Sequence, residues 1–141
     1  MKYVVLVSHG DFATGLKSSL DMLAGKRDDV IAVGLPDGKT ADEFALMFKE
    51  AVQAVTGDDE IILLADIVGG SPLTTSLNVL ADAGKLANTI TIGGMNLPLA
   101  LTSVLMKDSL DKETFTATVV SEAKAALQEF KLEQPEEDDE I

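Results

Sequence analysis

The 141-residue chain has no cysteine, no tryptophan and a single histidine, His9. Without cysteine there can be no disulfide, no thiolate nucleophile and no thiolate-bound metal. One histidine is also too few for the usual zinc sites. We therefore predict a protein that uses no metal ion and no other cofactor.

Positive charge is scarce, because 11 Lys and Arg residues stand against 24 Asp and Glu residues and leave a net charge of −13. The basic residues form no cluster that would attract a phosphate backbone or an anionic membrane, so we expect no nucleic-acid partner. No apolar run approaches the roughly 20 residues of a membrane span, and the start lacks the ordered sections of a signal peptide. These absences predict a cytoplasmic protein.

Hydrophobic residues make up 46% of the sequence, which suits one compact domain with a single core. Apolar, β-branched runs such as Val4 to Val7 predict buried strands, and helical spacing of apolar residues predicts helices between them. The predicted strands are residues 2–7, 30–35, 61–65 and 88–93, and the predicted helices are 12–24, 41–55, 72–83, 97–107 and one from near Asp111. This alternation predicts an α/β, doubly wound, flavodoxin-like and mainly parallel sheet, whose strand order would be 2-1-3-4.

The C-terminal part permits two interpretations. Residues 115–130 could form one continuous helix, but residues 127–132 alternate apolar and polar side chains, which suits a short strand. From Glu133 onward the sequence has too little apolar content to pack. We expect a domain of residues 1–132 followed by a disordered acidic tail, 133–141.

Two candidate site residues, His9 and Asp66, follow the first and third predicted strands. In the order 2-1-3-4 these strands are neighbours at the point where the order reverses, so both side chains would project into one crevice. A carboxylate that accepts a hydrogen bond from one imidazole nitrogen fixes the tautomer and makes the other nitrogen more nucleophilic. That is the arrangement a histidine needs to attack phosphorus.

The turn Gly69-Gly70-Ser71-Pro72 is a candidate receptor for the phosphoryl charge. It predicts a helix start with Ser71 as N-cap and Pro72 at the first helical position. Backbone N–H groups at such a start, together with the positive end of the helix, bind anions without lysine, arginine or metal. Taken singly, each feature also fits an ordinary turn, and His9 also fits an ordinary loop residue; their combination favours phosphoryl chemistry.

A nucleotide site is a competing interpretation, because residues 34–40, Gly-Leu-Pro-Asp-Gly-Lys-Thr, are similar to a phosphate-binding P-loop, and residues 61–66 to an apolar strand with a magnesium-holding acid. The spacing argues against it. The motif needs four residues between its glycines, whereas this segment has three. One of the three is Pro36, which has no N–H to donate.

The site segments resemble a known family, the IIA component of the mannose class of the bacterial phosphoenolpyruvate-dependent sugar phosphotransferase system. The resemblance covers about residues 1–132. It rests on the following segments, in this order: Ser8-His9-Gly10, Gly15 with the helix end from Met22 to Gly25, Asp66 with residues 69–72, and Gly94-Met95-Asn96-Leu97-Pro98. Their joint occurrence is far more specific than any one of them.

The resemblance implies a phosphocarrier that takes a phosphoryl group from the protein HPr onto His9 and passes it to a histidine of the IIB component. The membrane components IIC and IID would then be indirect partners. It implies that Asp66 orients His9, and that the protein is a homodimer exchanging a last, antiparallel strand, which favours the strand interpretation of residues 127–132. The residues expected around the phosphoryl group are Gly10, Gly69, Gly70 and Ser71.

The sequence departs from the family at several places. Val68 stands where many members have an aromatic residue, Ile67 offers no hydroxyl where some have threonine, and the acidic tail is not a family feature. These departures leave phosphoryl acceptance intact and leave open which partner surface is used. The alternatives are the phosphotransfer subunit of a dihydroxyacetone kinase, which has a similar fold and an early histidine, and a non-catalytic regulatory domain. The transported sugar cannot be read from the sequence.

Overall fold

The computed structural model describes residues 1–133 and contains a four-stranded parallel sheet with helices on both faces. The strands are β1 (Lys2–His9), β2 (Val30–Leu35), β3 (Glu60–Ala65) and β4 (Thr89–Gly93). The helices are α1 (Phe12–Ala24), α2 (Ala41–Ala51), α3 (Ser71–Asp82), α4 (Leu97–Met106) and α5 (Lys112–Ala125), with a short 3-10 helix at Leu86–Asn88. The sheet order is β2-β1-β3-β4, so the predicted order 2-1-3-4 is confirmed.

The central strands are apolar throughout because helices cover both of their faces. Val4 and Leu6 of β1 pack into a core with α1, α4 and α5, whereas Val5 and Val7 pack into a second core with α2 and α3. Successive side chains of a strand point to opposite faces, so a strand covered twice needs an apolar residue at each position. The strand register then brings the ends of β1 and β3 to one edge, with Val7 opposite Ala65.

Helices α3 and α4 each end one residue before the prediction, and two further helix boundaries differ for reasons that the structure shows. Helix α2 ends at Ala51 instead of continuing to residue 55, because the chain tightens into a turn in which the Val55 N–H donates to the Val52 carbonyl and Val55 reaches the core. The predicted N-cap of α3 is wrong: Gly70 is the cap, with extended backbone, and Ser71 is the first helical residue. Pro72 therefore occupies the second helical position, where it also needs no N–H partner.

The chain after α5 forms neither a helix nor a strand between residues 126 and 133. The long-helix interpretation of residues 115–130 is therefore wrong beyond Ala125. Leu127, Phe130 and Leu132 are each more than four-fifths exposed. A strand formed by exchange with a second chain stays a prediction, and the expected acidic tail beyond Glu133 lies outside the described residues. Through residue 133, no helix combines the length and the apolar content that crossing a bilayer requires.

Candidate functional site

His9 and Asp66 lie side by side at the carboxyl edge of the sheet. His9 is the last residue of β1, because the strand runs two residues beyond its predicted end at Val7, so the prediction that His9 follows the strand is wrong. Asp66 directly follows β3, as predicted. The Asp66 N–H donates to the Val7 carbonyl at 3.2 Å, which continues the ladder between the two strands by one step. The His9 side chain is 49% exposed and that of Asp66 is 15% exposed, so the pair is open on the imidazole side.

The Asp66 carboxylate is hydrogen-bonded through both oxygens. Its Oδ2 accepts from the His9 backbone N–H at 2.9 Å and from His9 Nδ1 at 2.7 Å, and its Oδ1 accepts from the Ile67 N–H at 2.9 Å. Burial on its own would raise the pKa of the Asp66 carboxyl, but the bonds from the His9 backbone, the His9 ring and Ile67 outweigh burial and lower this pKa. The carboxylate therefore stays charged and draws the imidazole proton to Nδ1, which leaves the lone pair on Nε2.

The turn that follows His9 is held by buried contacts. The Ser8 hydroxyl, which is fully buried, accepts a hydrogen bond from the Ala13 N–H at 2.7 Å and so ties the end of β1 to the first turn of α1. Gly10 has a φ of +55°, which a glycine adopts without strain, and its N–H donates to the Leu35 carbonyl at 2.8 Å. The role of Ser8 had no sequence signal, because a serine five residues before its partner is not a standard capping pattern.

The predicted phosphoryl receptor lies directly against the imidazole. A Cβ atom on Gly70 would come within 2.8 Å of His9 Cε1, so only glycine leaves room for the ring at its observed position. Gly69 has a φ of +88°, which also favours glycine. The start of α3, with its uncompensated N–H groups and positive dipole end, is thus placed next to His9. Ser71 is exposed, and its hydroxyl bonds to no other described residue.

The P-loop-like segment performs a structural task. The Thr40 hydroxyl caps α2 by accepting from the Glu43 N–H at 3.1 Å, and Glu43 accepts in return from the Thr40 N–H at 2.8 Å. Lys39 lies 3.9 Å from the Glu43 carboxylate. Within residues 1–133, no three carboxylate or imidazole side chains converge so that they could hold a metal ion.

One protein family and one known protein that match this chain carry the same description, a fructose IIA component of the PTS. The family described as "PTS system fructose IIA component" matches residues 3–120. The fructose-specific EIIA component of the PTS of Bacillus subtilis (strain 168) is 27% identical over 107 residues, covering 76% of this chain and 71% of that protein.

Solved structures of similar proteins share the fold. The PTS IIA protein associated with the fucose utilization operon of Streptococcus pneumoniae has a TM-score of 0.77 and 28% identity, covering 91% of this chain and 92% of that one. The mannose/sorbose-specific IIA subunit from Enterococcus faecalis has a TM-score of 0.79 at 20% identity, covering 96% and 99%. At that lower identity the likeness concerns the fold alone.

Proposed function

The chain belongs to the family of PTS system fructose IIA components, and from this premise we propose that it carries a phosphoryl group on Nε2 of His9. The family match confirms the resemblance inferred from the sequence, and it makes the protein a IIA component of the mannose/fructose class, which acts in sugar phosphotransfer. The observation that carries the proposal is the 2.7 Å bond between His9 Nδ1 and Asp66 in a side chain that is 49% exposed, so that the carboxylate does not engage the second ring nitrogen.

The transfer we propose is a displacement at phosphorus. The Nε2 lone pair of His9 attacks the phosphoryl group of phospho-HPr, and the bond between phosphorus and HPr breaks with its electron pair remaining on HPr. The ring then carries imidazolium-like charge, which the Asp66 carboxylate stabilises across the Nδ1 hydrogen bond. In the second half, a histidine of the IIB component attacks the same phosphorus, and the bond to Nε2 breaks in turn. The membrane components IIC and IID would take part only through IIB.

The phosphoryl oxygens would be received by the turn before α3. Gly70 lies against the ring, and the backbone N–H groups of Gly69, Gly70 and Ser71, together with the positive end of the helix, would bind these oxygens. Gly10 would contribute by the absence of a side chain, because its own N–H is already bonded to the Leu35 carbonyl. Ile67 and Val68 are exposed next to this site and would form part of the surface that HPr and IIB contact.

The test of this function is labelling by the phosphotransferase chain itself. Incubation with phosphoenolpyruvate, enzyme I and HPr should label the protein once, with the acid-labile and base-stable behaviour of phosphohistidine. His9→Ala should take up no label, because the chain has no second imidazole. Lys39→Ala, which removes a side chain that lies beside Glu43 and has no proposed part in the site, should be labelled as the wild type is. Label on His9→Ala would refute the assignment, and label only with a different donor system would favour a dihydroxyacetone kinase subunit.

We also propose a homodimer in which residues 127–132 pair with the partner chain. Strand β4 lies at the edge of the sheet, so in the single chain its outer backbone groups have no neighbouring strand among the described residues. The chain leaves α5 close to that edge, since Asn96, just after β4, donates to the Ala123 carbonyl at 3.2 Å. The apolar side chains of Leu127, Phe130 and Leu132 are exposed and available for such pairing.

Truncation separates this segment from the tail that follows it. A chain ending before Leu127 should be monomeric or aggregated, whereas a chain ending before Glu133 should keep both assembly and phosphoryl uptake, because it retains the whole proposed strand. Sedimentation velocity measures both. A full-length protein that sediments as a monomer would show that the proposed exchange does not occur.

A further inference from the structure

Glycine occupies matching positions on the two outer strands. Gly34 of β2 is the register partner of Ser8, the residue before His9, and Gly93 of β4 is the register partner of Ala65, the residue before Asp66. Each half of the site is therefore flanked by a residue without a side chain, and the two glycines lie one register step apart, because Ala65 is itself the partner of Val7.

Neither glycine is required by its backbone conformation. The glycines with positive φ are at other positions, so any L-residue could adopt the backbone of Gly34 or Gly93. Their neighbours explain the choice. A Cβ atom on Gly34 would overlap the carbonyl oxygen of Gly10 and lie 3.2 Å from its carbonyl carbon. A Cβ atom on Gly93 would overlap Cγ2 of Val68 and lie 3.2 Å from the Val68 nitrogen.

The loops that approach Gly34 and Gly93, at Gly10 and Val68, are the ones next to the reacting pair. Gly10 is joined directly to His9 and is held against β2 by its bond to Leu35. Val68 lies between Asp66 and the Gly69-Gly70 turn. We propose that Gly34 and Gly93 are positioning residues. Because they lack side chains, the loop at Gly10 can pack against β2 and the loop at Val68 can pack against β4, and this packing brings His9 Nδ1 to Asp66. This inference rests on the proposed function for its consequence in phosphoryl transfer, but not for its consequence in ring geometry.

The two substitutions should differ in severity. At Gly34 the obstructing atoms belong to the backbone next to His9 and cannot rotate away, so Gly34→Ala must shift the His9 main chain. At Gly93 the nearest atom is the tip of an exposed valine side chain, which can turn aside, and only the Val68 backbone at 3.2–3.3 Å must yield. A displacement near 1 Å costs on the order of 10²-fold in a positioned reaction. We expect roughly 10- to 100-fold slower transfer for Gly34→Ala and several-fold slower transfer for Gly93→Ala.

The matched control is Gly15→Ala. Gly15 lies on the exposed face of α1, its φ is not in the left-handed region, and a Cβ there would meet no atom within 4 Å. The same chemical change is thus made six residues from His9 without crowding. This variant should transfer phosphoryl groups at the wild-type rate.

The experiment uses the full-length chain and two readouts, nitrogen-15 NMR of the imidazole in alkaline buffer and rapid-quench transfer from phospho-HPr. Because the chain has one histidine, the ring signals need no assignment. Wild type and Gly15→Ala should show one protonated and one bare ring nitrogen, and Gly34→Ala should move both signals toward a tautomer average. Wild-type ring signals in folded Gly34→Ala would overturn the proposal. Should that variant not fold, the same result in Gly93→Ala would do so. If even the wild type accepts no phosphoryl group, the proposed function fails while the ring signals still decide the positioning role.

Discussion

Asp66 and Asp29 are carboxylates at opposite edges of the same sheet, and each holds a nitrogen side chain from another element. Asp66 accepts from the His9 ring at the carboxyl edge at 2.7 Å, and Asp29 accepts from Lys107 at the amino edge at 2.9 Å. The difference lies in what remains accessible. The His9 side chain is 49% exposed, whereas that of Lys107 is 2% exposed.

The charged groups at the amino edge bind one another. Arg27 donates to Asp29 through Nε and Nη2, both at 2.9 Å, and Lys107 also donates to Asp108 at 3.0 Å. The Arg27 guanidinium, and after it the Lys107 ammonium, lower the pKa of Asp29 to about 2, although burial acts in the opposite direction. The cluster joins the start of β2 to the end of α4.

A similar ion-pair geometry serves stability or chemistry according to what the second partner can still reach. Lysine and carboxylate at the amino edge are covered, so their interaction can only hold elements together. Histidine has a second nitrogen on the far side of its ring, and at the carboxyl edge the His9 side chain is half exposed. In the function we propose, one interaction therefore orients the ring while leaving a nucleophile available.

The largest effect that separates the two regions is expected at Asp66. Asp66→Ala leaves an imidazole that still reaches phosphorus but in a mixture of tautomers and orientations, so transfer from phospho-HPr should slow by about 10²-fold without being abolished. Asp66→Asn keeps the shape but loses the charge that stabilises the imidazolium-like product, and should be similarly slow. Rapid-quench kinetics measure both variants. Wild-type rates in Asp66→Ala would show that this carboxylate does not hold His9 in the reaction.

Asp29→Asn, the matching change at the amino edge, should lower stability and leave phosphoryl transfer unaffected. Asp29→Asn leaves the buried Lys107 ammonium with Asp108 alone, and we expect it to lower the free energy of unfolding by about 2 kcal/mol while leaving the transfer rate unchanged. Urea denaturation measures the loss of stability. A slowed transfer in folded Asp29→Asn would mean that the two edges are coupled and that the comparison does not hold.

The loss of stability in Asp29→Asn should depend on pH, because the pKa of the Asp29 carboxyl is lowered in the folded protein. The folded-state pKa of Asp29 is about 2 and the ordinary value is 3.8, so its contribution to stability is fully present above about pH 4. It is lost as pH falls from about 4 to about 2, where the carboxyl becomes protonated in both states. The difference in unfolding free energy between wild type and Asp29→Asn should therefore shrink across this interval. A difference that stays constant down to pH 2 would contradict the assignment of the ion pair.

The smallest effect is expected at Ser71. Ser71→Ala removes one hydroxyl but keeps the backbone N–H groups at the start of α3, so transfer should slow by a factor equivalent to about 1 kcal/mol. Thr74→Ala, one turn further along α3 and also exposed, is the control and should transfer at the wild-type rate. Equal rates for Ser71→Ala and wild type would assign phosphoryl binding to the backbone alone.

Local patterns in the sequence predicted most of the fold. The bounds of α1 and β2 agree with the prediction at both ends, because buried apolar runs and helical spacing are read from neighbouring residues. The agreement weakens where the decisive neighbour is distant in sequence. Gly70 replaces Ser71 as the cap of α3 at a position where a side chain would strike His9. The sequence of the turn alone does not reveal this contact, because His9 lies on a different element far away in the sequence.

The sequence by itself determined which residue can carry a phosphoryl group on nitrogen, since His9 is the only imidazole and no thiolate competes with it. It also determined the order of strands and helices, because each depends on side chains a few positions apart. Only the tertiary structure decided that Gly34 and Gly93 face the two site loops, that Ser8 ties β1 to α1, and that Lys107 lies buried against Asp29. These contacts join residues on different elements, and their energies depend on distances of a few tenths of an ångström that packing alone sets.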